Sequence, residues 1–97
     1  MPKGYWIAHA NVHEPDGYGR YIETARAAFE AHGARFIARG GTHEEVENGI
    51  GRARHVLIEF PSYQAALDCF RSEAYQAARA HRLPAGEVSI TIVEGLE

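Results

Sequence analysis

The chain has 97 residues, of which 45% are hydrophobic and 24% are charged, and this balance is typical of a single globular domain over residues 1–97. The net charge of -3 argues against a nucleic-acid partner, which would require a basic surface. The single cysteine excludes an intrachain disulfide and fits a cytoplasmic protein, and neither a signal peptide nor an apolar run of roughly 20 residues suggests a membrane partner.

The first third of the chain predicts a strand followed by a helix. The segment GYWIAHANV, Gly4–Val12, is aromatic and β-branched with small residues between, which is typical of a strand. HEPDG then forms a turn, in which Asp16 can cap a helix over residues 17–32, and Gly33 is placed to end that helix. One helix face collects the residues that recur at three- and four-residue steps, which are Tyr18, Ile22, Ala25, Phe29 and His32.

Two further strands are predicted in the middle of the chain. ARFIARGG, residues 34–41, predicts the second strand, and RHVLIEF, Arg54–Phe60, predicts the third, which is the most apolar. Asn48-Gly49 between them is a hairpin signal, so residues 44–47 are expected to extend the second strand.

The last third predicts a helical segment and a final strand. Ser62 can cap a second helix, SEAYQAARAHR restarts a shorter helix at Ser72, and EVSITIVEG predicts the last strand. The order β-α-β-β-α-β predicts an α+β ferredoxin-like fold with an antiparallel sheet of strand order 4-1-3-2 and the helices on one face. We expect Ile, Leu and Val to make the other face too apolar for water, so that two sheets pack back to back in a homodimer.

Five segments in register carry a family resemblance. GYWIAHANV, ARFIARGG, HVLIEFPS, SEAYQAA and the closing VEG together resemble the domain of unknown function family 1330 (DUF1330), over nearly the whole chain. The resemblance implies a dimeric α/β-barrel with a ferredoxin-like protomer. It also implies relatives with diverse chemistry, including cofactor-independent monooxygenases, lactone isomerases and haem-binding enzymes, so the fold alone leaves the reaction open.

Arg39 is the first candidate site residue, because it ends an apolar strand just before Gly40-Gly41. A tight hairpin turn with a β-bulge at these glycines would place Arg39 and Glu59 on one face as a diagonal pair. Without the bulge, Arg39 lies opposite Ile58, and Glu59 points to the other side of the sheet. Such a pair could fix strand register or the dimer, or Arg39 could bind an anionic or carbonyl group of a ligand.

His9 is the second candidate, as a general base or hydrogen-bond donor, if the strand face of Tyr5, Ile7 and Asn11 lines a cleft. A buried histidine bonded to neighbouring backbone is the alternative. His43, in the loop after the glycines, could close a pocket or lie in solvent.

Tyrosines on the helices are candidates for the walls of a ligand pocket. Tyr18 and Tyr75 could contact a ligand, although helical spacing makes them, with Tyr63, core-facing by default. Cys69 has no histidine near in sequence and is interpreted as a small apolar residue. His9 and His13 on a strand are roughly 13 Å apart, too far to share an ion, so no metal is expected. No cofactor is expected either; the alternative is a single axial haem ligand, for which His32 at the helix end is the candidate.

Two functions remain open from the sequence. The first is a small-molecule site in each protomer, with Arg39 and His9 as the reacting groups and Tyr18, His43, Glu59 and Tyr75 around them, of the cofactor-free monooxygenase or isomerase kind. The second is a non-catalytic dimeric module in which the Arg-Glu pair serves register and assembly.

Overall fold

The strand Gly4–Val12 is one of the two inner strands of the sheet, because it pairs with a neighbouring strand on each side. The structure, a computed structural model, describes residues 2–97. Its elements in chain order are β1 (Gly4–Val12), α1 (Pro15–Ala31), β2 (Arg35–Arg39), β3 (Arg54–Phe60), α2 (Tyr63–Arg71), α3 (Glu73–Arg82) and β4 (Gly86–Glu94). The sheet is antiparallel in the order β2-β3-β1-β4, which confirms the predicted order 4-1-3-2 and the ferredoxin-like fold.

The ends of the helices follow local chemistry, with one departure from prediction. Helix α1 begins at Pro15, two residues before the predicted start, and Asp16 lies in its first turn instead of capping it. Gly33 adopts a φ of 73° directly after the helix, as predicted for its end. The Ser72 hydroxyl accepts from the Tyr75 amide at 3.2 Å and donates to the Cys69 carbonyl at 2.7 Å, so it both ends α2 and starts α3.

β2 and β3 pair as predicted, but the predicted tight turn at Asn48-Gly49 does not join them. Residues 41–53 are a loop without strand, so the predicted extension over residues 44–47 is wrong, although Asn48 does adopt a positive φ of 48°. The bulge lies at Ile37, between the pairs Phe36–Ile58 and Ala38–Leu57, and not at Gly40-Gly41. Because this loop is long, packing of the strands and not a tight turn sets their register.

The core lies between the helices and one face of the sheet. Trp6 is its centre, 1% exposed, and its indole N–H donates to the Ala66 carbonyl at 3.0 Å. Aromatic rings surround it at centroid distances of 5.0 to 5.9 Å, and these are Phe29, Phe60, Phe70 and Tyr75.

The open face of the sheet is less apolar than predicted. Val88, Ile90 and Ile92 of β4 pack toward the helices, because they pair with Ala10, Ala8 and Trp6 on the helix-facing side of β1. The open face keeps apolar side chains at its centre and polar ones around them; its members include Tyr5, Ile7, His9, His55, Leu57, Glu59, Ser89, Thr91 and Val93. Within residues 2–97, no helix is both long and apolar enough to pass through a membrane.

Candidate ligand cavity

A cavity of about 300 Å³ lies between helix α1 and the sheet. Its floor follows one cross-strand row, in which Arg39 pairs with Val56, Val56 with Ala8, and Ala8 with Ile90. The next row along β1 places Ala10 beside Val88. The methyl groups of Ala8 and Ala10 fill little space, so the centre of the sheet leaves room beneath the helix.

The walls of the cavity are mainly aromatic. They are formed by Trp6, Tyr18, Tyr21, Phe29 and Phe36. Phe29 and Phe36 meet edge to face with ring centroids 5.4 Å apart, so α1 and β2 each contribute one ring to this wall. An aromatic lining with few polar groups is typical of sites for small organic molecules.

Arg39 lies at the rim of this cavity, together with Arg26 and Glu30 of α1. Its guanidinium carbon lies 4.4 Å from the centre of the Phe36 ring, so the planar group stacks on an aromatic wall. The ion pairs formed within residues 2–97 do not include Arg39. Its guanidinium group is therefore not held by an acidic side chain of the described residues.

The predicted Arg39–Glu59 pair does not form, because the two residues lie on opposite faces of the sheet. The bulge at Ile37 shifts the register, so Arg39 pairs with Val56 on the helix side, whereas Glu59 pairs with Arg35 and Tyr5 on the open side. The Glu59 carboxylate lies 3.5 Å from the Lys3 ammonium and 3.7 Å from the Arg35 guanidinium. Glu59 thus contributes to the open face and not to the cavity.

A chain of polar side chains leads away from the cavity wall. The hydroxyls of Tyr21 and Tyr75 are 2.8 Å apart, and Nη2 of Arg82 donates to the Tyr75 hydroxyl at 3.3 Å. Tyr75 is fully buried behind Tyr21 and does not line the cavity, contrary to its predicted contact with a ligand. Burial, with Tyr75 beside it, raises the pKa of Tyr21 well above its usual value, so Tyr21 is a neutral hydroxyl at physiological pH.

His9 lies on the open face, opposite the cavity, because the helix-facing positions of β1 are the even-numbered ones. Its Nδ1 is 2.7 Å from Nδ1 of His55 on β3, and the His43 ring lies 4.4 Å from the His55 ring between centroids. His43 Nδ1 donates to the Gly41 carbonyl at 3.1 Å. The face predicted to line a cleft through His9 therefore carries a cluster of histidines apart from the cavity, and His43 does not close the cavity.

Neither Cys69 nor a cluster of metal-binding side chains forms a further reactive site within residues 2–97. Cys69 is fully buried, and its thiol points to the Ala28 carbonyl at 3.7 Å. Burial raises the pKa of the Cys69 thiol to about 12, which keeps it protonated and unreactive. Within residues 2–97, no three His, Cys, Asp or Glu side chains are arranged to hold a metal ion.

A family model described as "Domain of unknown function (DUF1330)" matches residues 3–96. The chain belongs to the DUF1330 family. No protein with a curated description has a sequence that matches this DUF1330 chain.

Solved structures share the fold of this DUF1330 protein. A protein of unknown function from Rhodopseudomonas palustris has a TM-score of 0.74 at 17% identity, over 99% of this chain and 84% of that one. A dimeric ferredoxin-like protein from Jannaschia has a TM-score of 0.65 at 13% identity, over 95% and 98% of the two chains. SnoaB, a cofactor-independent oxygenase from Streptomyces nogalater, has a TM-score of 0.66 at 9% identity, over 100% and 96%. At these identities the likeness shows the fold alone.

Sequence inspection missed several residues of the DUF1330 cavity. Tyr21 falls outside the predicted buried face of α1, although a three-residue step from Tyr18 could have included it. Ala8 could not be selected from the sequence, because the space beside its small side chain is evident only when the neighbouring residues are known. Tyr63 was expected to face the core but is 37% exposed, because α2 turns it outward at its first position.

Proposed function

We propose that this DUF1330 protein binds a small, mainly aromatic molecule in the cavity between α1 and the sheet, with an anionic or carbonyl group of that molecule at Arg39. The observation that carries the proposal is the position of Arg39 and Tyr18 on one aromatic-walled cavity. These are two of the residues that the sequence suggested for a ligand site, and they come from separate elements of the fold.

The size of the cavity supports a ligand of one or two aromatic rings. A dry cavity of about 150 Å³ is enough for benzene, and this cavity has about 300 Å³. Its aromatic walls favour offset or edge-to-face contacts with a flat ring system. The apolar floor of Ala8 and Val56 offers no partner for polar groups, so a polar end of the ligand belongs at the rim.

The charge at the rim supports an acidic or carbonyl group. The Arg39 guanidinium lies over the Phe36 ring, an arrangement that is compatible with a bidentate contact to a carboxylate or a single contact to a carbonyl oxygen. On the α1 side of the same rim the opposite charges of Arg26 and Glu30 offset each other, which leaves little net attraction for an anion there. The anionic end is therefore expected on the β2 side.

Turnover without a cofactor is the finer part of the proposal. The likeness to SnoaB, a cofactor-independent oxygenase, suggests oxygenation of an activated aromatic substrate, with molecular oxygen as the oxidant. Such chemistry requires a base, and among residues 2–97 Glu30 is the one carboxylate that lines the cavity. No histidine lines the cavity within residues 2–97, an observation that favours ligand binding without turnover.

We also propose that the protein is a cytoplasmic homodimer that packs the two open sheet faces together. Ile7 and Leu57 lie at the centre of that face, and the Jannaschia protein of the same fold is dimeric. A partner sheet would remove these apolar side chains from water. The histidine cluster would then lie at or near the interface.

A titration with naphthoate tests the binding proposal, with naphthalenemethanol as the uncharged probe of similar shape. Trp6 is the single tryptophan and lines the cavity, so its indole N–H signal in an NMR spectrum reports binding there. Naphthoate should shift this signal in a saturable way. The alcohol should bind at least about ten-fold more weakly, because it lacks the charge-assisted hydrogen bond to Arg39.

Two arginines on the same strand provide the variant and its control. Arg39→Gln should weaken naphthoate binding about ten-fold or more and leave the alcohol unchanged. Arg35→Gln removes the same charge from β2 on the open face, beside Glu59, and should leave both affinities unchanged. Equal losses in the two variants would show that only net charge matters and would reject a site at Arg39.

A further inference from the structure

Arg82, in the last turn of α3, is a buried charge without an acidic partner. It is 4% exposed, and the ion pairs within residues 2–97 do not include it. A guanidinium stays protonated in proteins, so this side chain carries its charge into the interior. Burial of a charge is costly unless an opposite charge and hydrogen bonds compensate it.

The contacts that the fold supplies to Arg82 are neutral ones. Nη2 donates to the Tyr75 hydroxyl at 3.3 Å, and the guanidinium carbon lies 5.2 Å from the centre of the Tyr21 ring. Its place at the carboxyl end of α3 adds a favourable helix dipole. Nε is nevertheless buried and has no hydrogen-bond partner in the part of the chain that the structure describes. The side chain is therefore oriented from one side, with no acidic residue of the described chain paired with it.

Arg82 lines a groove of about 510 Å³ between α3 and β4. Arg79, one turn earlier in α3, lines the same groove, and its guanidinium carbon lies 5.9 Å from the centre of the Phe70 ring. No acidic residue lines this groove within residues 2–97. The rest of the lining is apolar apart from the backbone of Gly86, and it consists of Phe70, Leu83, Val88, Ile90 and Ile92.

We infer that the α3–β4 groove is a second ligand site, which takes an aliphatic monocarboxylate. Its carboxylate lies against Arg79 and Arg82, where paired N–H donors match its two oxygens. Its hydrocarbon chain lies along the helix-facing side chains of β4 and covers Leu83, which is 55% exposed. The groove shares only Val88 and Ile90 with the cavity at Arg39, so this site is separate from the proposed aromatic site.

Titration with octanoate, against octanol as the uncharged control, tests this inference on the full chain. The methyl signals of Leu83 and Ile92 report the groove, and the Trp6 indole N–H reports the cavity. We expect octanoate to shift the groove signals in a saturable way at millimolar concentration. Octanol should bind at least about ten-fold more weakly, since it lacks the charge.

Three variants distinguish octanoate binding in the groove from binding in the cavity. They also distinguish ligand recognition by Arg82 from a purely structural role. Arg82→Met and Arg79→Gln should each weaken octanoate binding about ten-fold or more. Arg82→Met should also unfold at the same or a higher temperature, because an apolar side chain of similar size replaces an unpaired buried charge. Arg39→Gln should leave octanoate binding unchanged.

Several results would overturn the second site. Equal affinity for octanoate and octanol would show that the arginines do not recognise the carboxylate. Octanoate shifts confined to Trp6 and lost in Arg39→Gln would place the ligand in the cavity. If Arg82→Met unfolds the chain while Arg79→Gln keeps full octanoate affinity, Arg82 is a structural residue. Failure of naphthoate to bind would leave these outcomes unaffected.

Discussion

The hydroxyls of Tyr21 on α1 and Tyr75 on α3 meet at 2.8 Å, and this bond joins the wall of the cavity to a buried arginine. Within residues 2–97, the Tyr75 hydroxyl has two hydrogen-bond partners, because Arg82 also donates to it, whereas the Tyr21 hydroxyl has one. Removal of the Tyr75 hydroxyl therefore leaves more buried polar groups without a partner than removal of the Tyr21 hydroxyl.

We expect Tyr75→Phe to lower the free energy of unfolding by about 1–3 kcal/mol and Tyr21→Phe by about 1 kcal/mol. Tyr75→Phe leaves both Tyr21 and Arg82 without their hydrogen-bond partner, whereas Tyr21→Phe leaves the Tyr75–Arg82 contact in place. Urea denaturation of the two single variants and the double variant measures the coupling. Strictly additive losses would contradict a shared network.

Alkaline pH should destabilise the fold through Cys69. Burial raises the pKa of its thiol to about 12, whereas an unfolded thiol ionises near pH 8.5. Above about pH 9 the unfolded chain has lost a proton that the folded chain keeps, so stability falls as pH rises, by about 1.4 kcal/mol per pH unit from this group. Tyr21, whose pKa burial also raises, adds a loss of the same sign above about pH 10.

Cys69→Ala provides the control for the alkaline effect. The stability difference between wild type and Cys69→Ala, from urea denaturation, should shrink or change sign between about pH 8 and pH 10. A difference that stays constant over this range would show that the Cys69 thiol ionises equally well in the folded chain.

A larger side chain on the floor of the cavity should stabilise the fold and abolish ligand binding. Ala8→Val adds two methyl groups between Val56 and Ile90, where the cavity leaves space, and should raise the free energy of unfolding by about 0.5–2 kcal/mol. The same change should abolish the naphthoate-induced shift of the Trp6 indole. Ala38→Val, on exposed strand β2, adds the same groups outside the cavity and should leave binding intact. Naphthoate binding that survives Ala8→Val would place the ligand elsewhere.

A charge at the centre of the open sheet face should dissociate the proposed homodimer. Leu57→Lys would bury an unpaired ammonium between two sheets, so the dimer dissociation constant should rise roughly 100-fold or more. Ala27→Lys places the same charge on the exposed side of α1 and should have no effect. Sedimentation over a range of concentrations measures both. A wild-type chain that remains monomeric at high concentration would contradict the dimer itself.

The fold was predictable from sequence because its elements carry strong local signals. The aromatic and β-branched run of β1, the helical spacing in α1 and the Ser72 restart each matched what formed. The register of β2 was not predictable in this way. It depends on Phe36, which packs against Phe29 and pairs with Ile58, and this tertiary contact outweighs the hairpin signal at Asn48-Gly49.

The residues of the candidate site were likewise predictable only in part. Arg39 and Tyr18 could be selected from the sequence because a charged strand end and a helical tyrosine are visible there. His9 was correctly assigned to the strand face of Tyr5 and Ile7, but which face borders the cavity depends on where the helices pack. The buried arginine Arg82 gave no signal, since arginines near a helix end are usually exposed.

Intermolecular nuclear Overhauser effects between bound naphthoate and the protein test the proposed ligand site most directly. We predict contacts from the naphthoate ring protons to Trp6 and Tyr18, and from the proton nearest the carboxylate to the side chain of Arg39. Contacts to Ile7 and Leu57 on the open sheet face instead would contradict the central claim that the cavity beneath α1 is the ligand site.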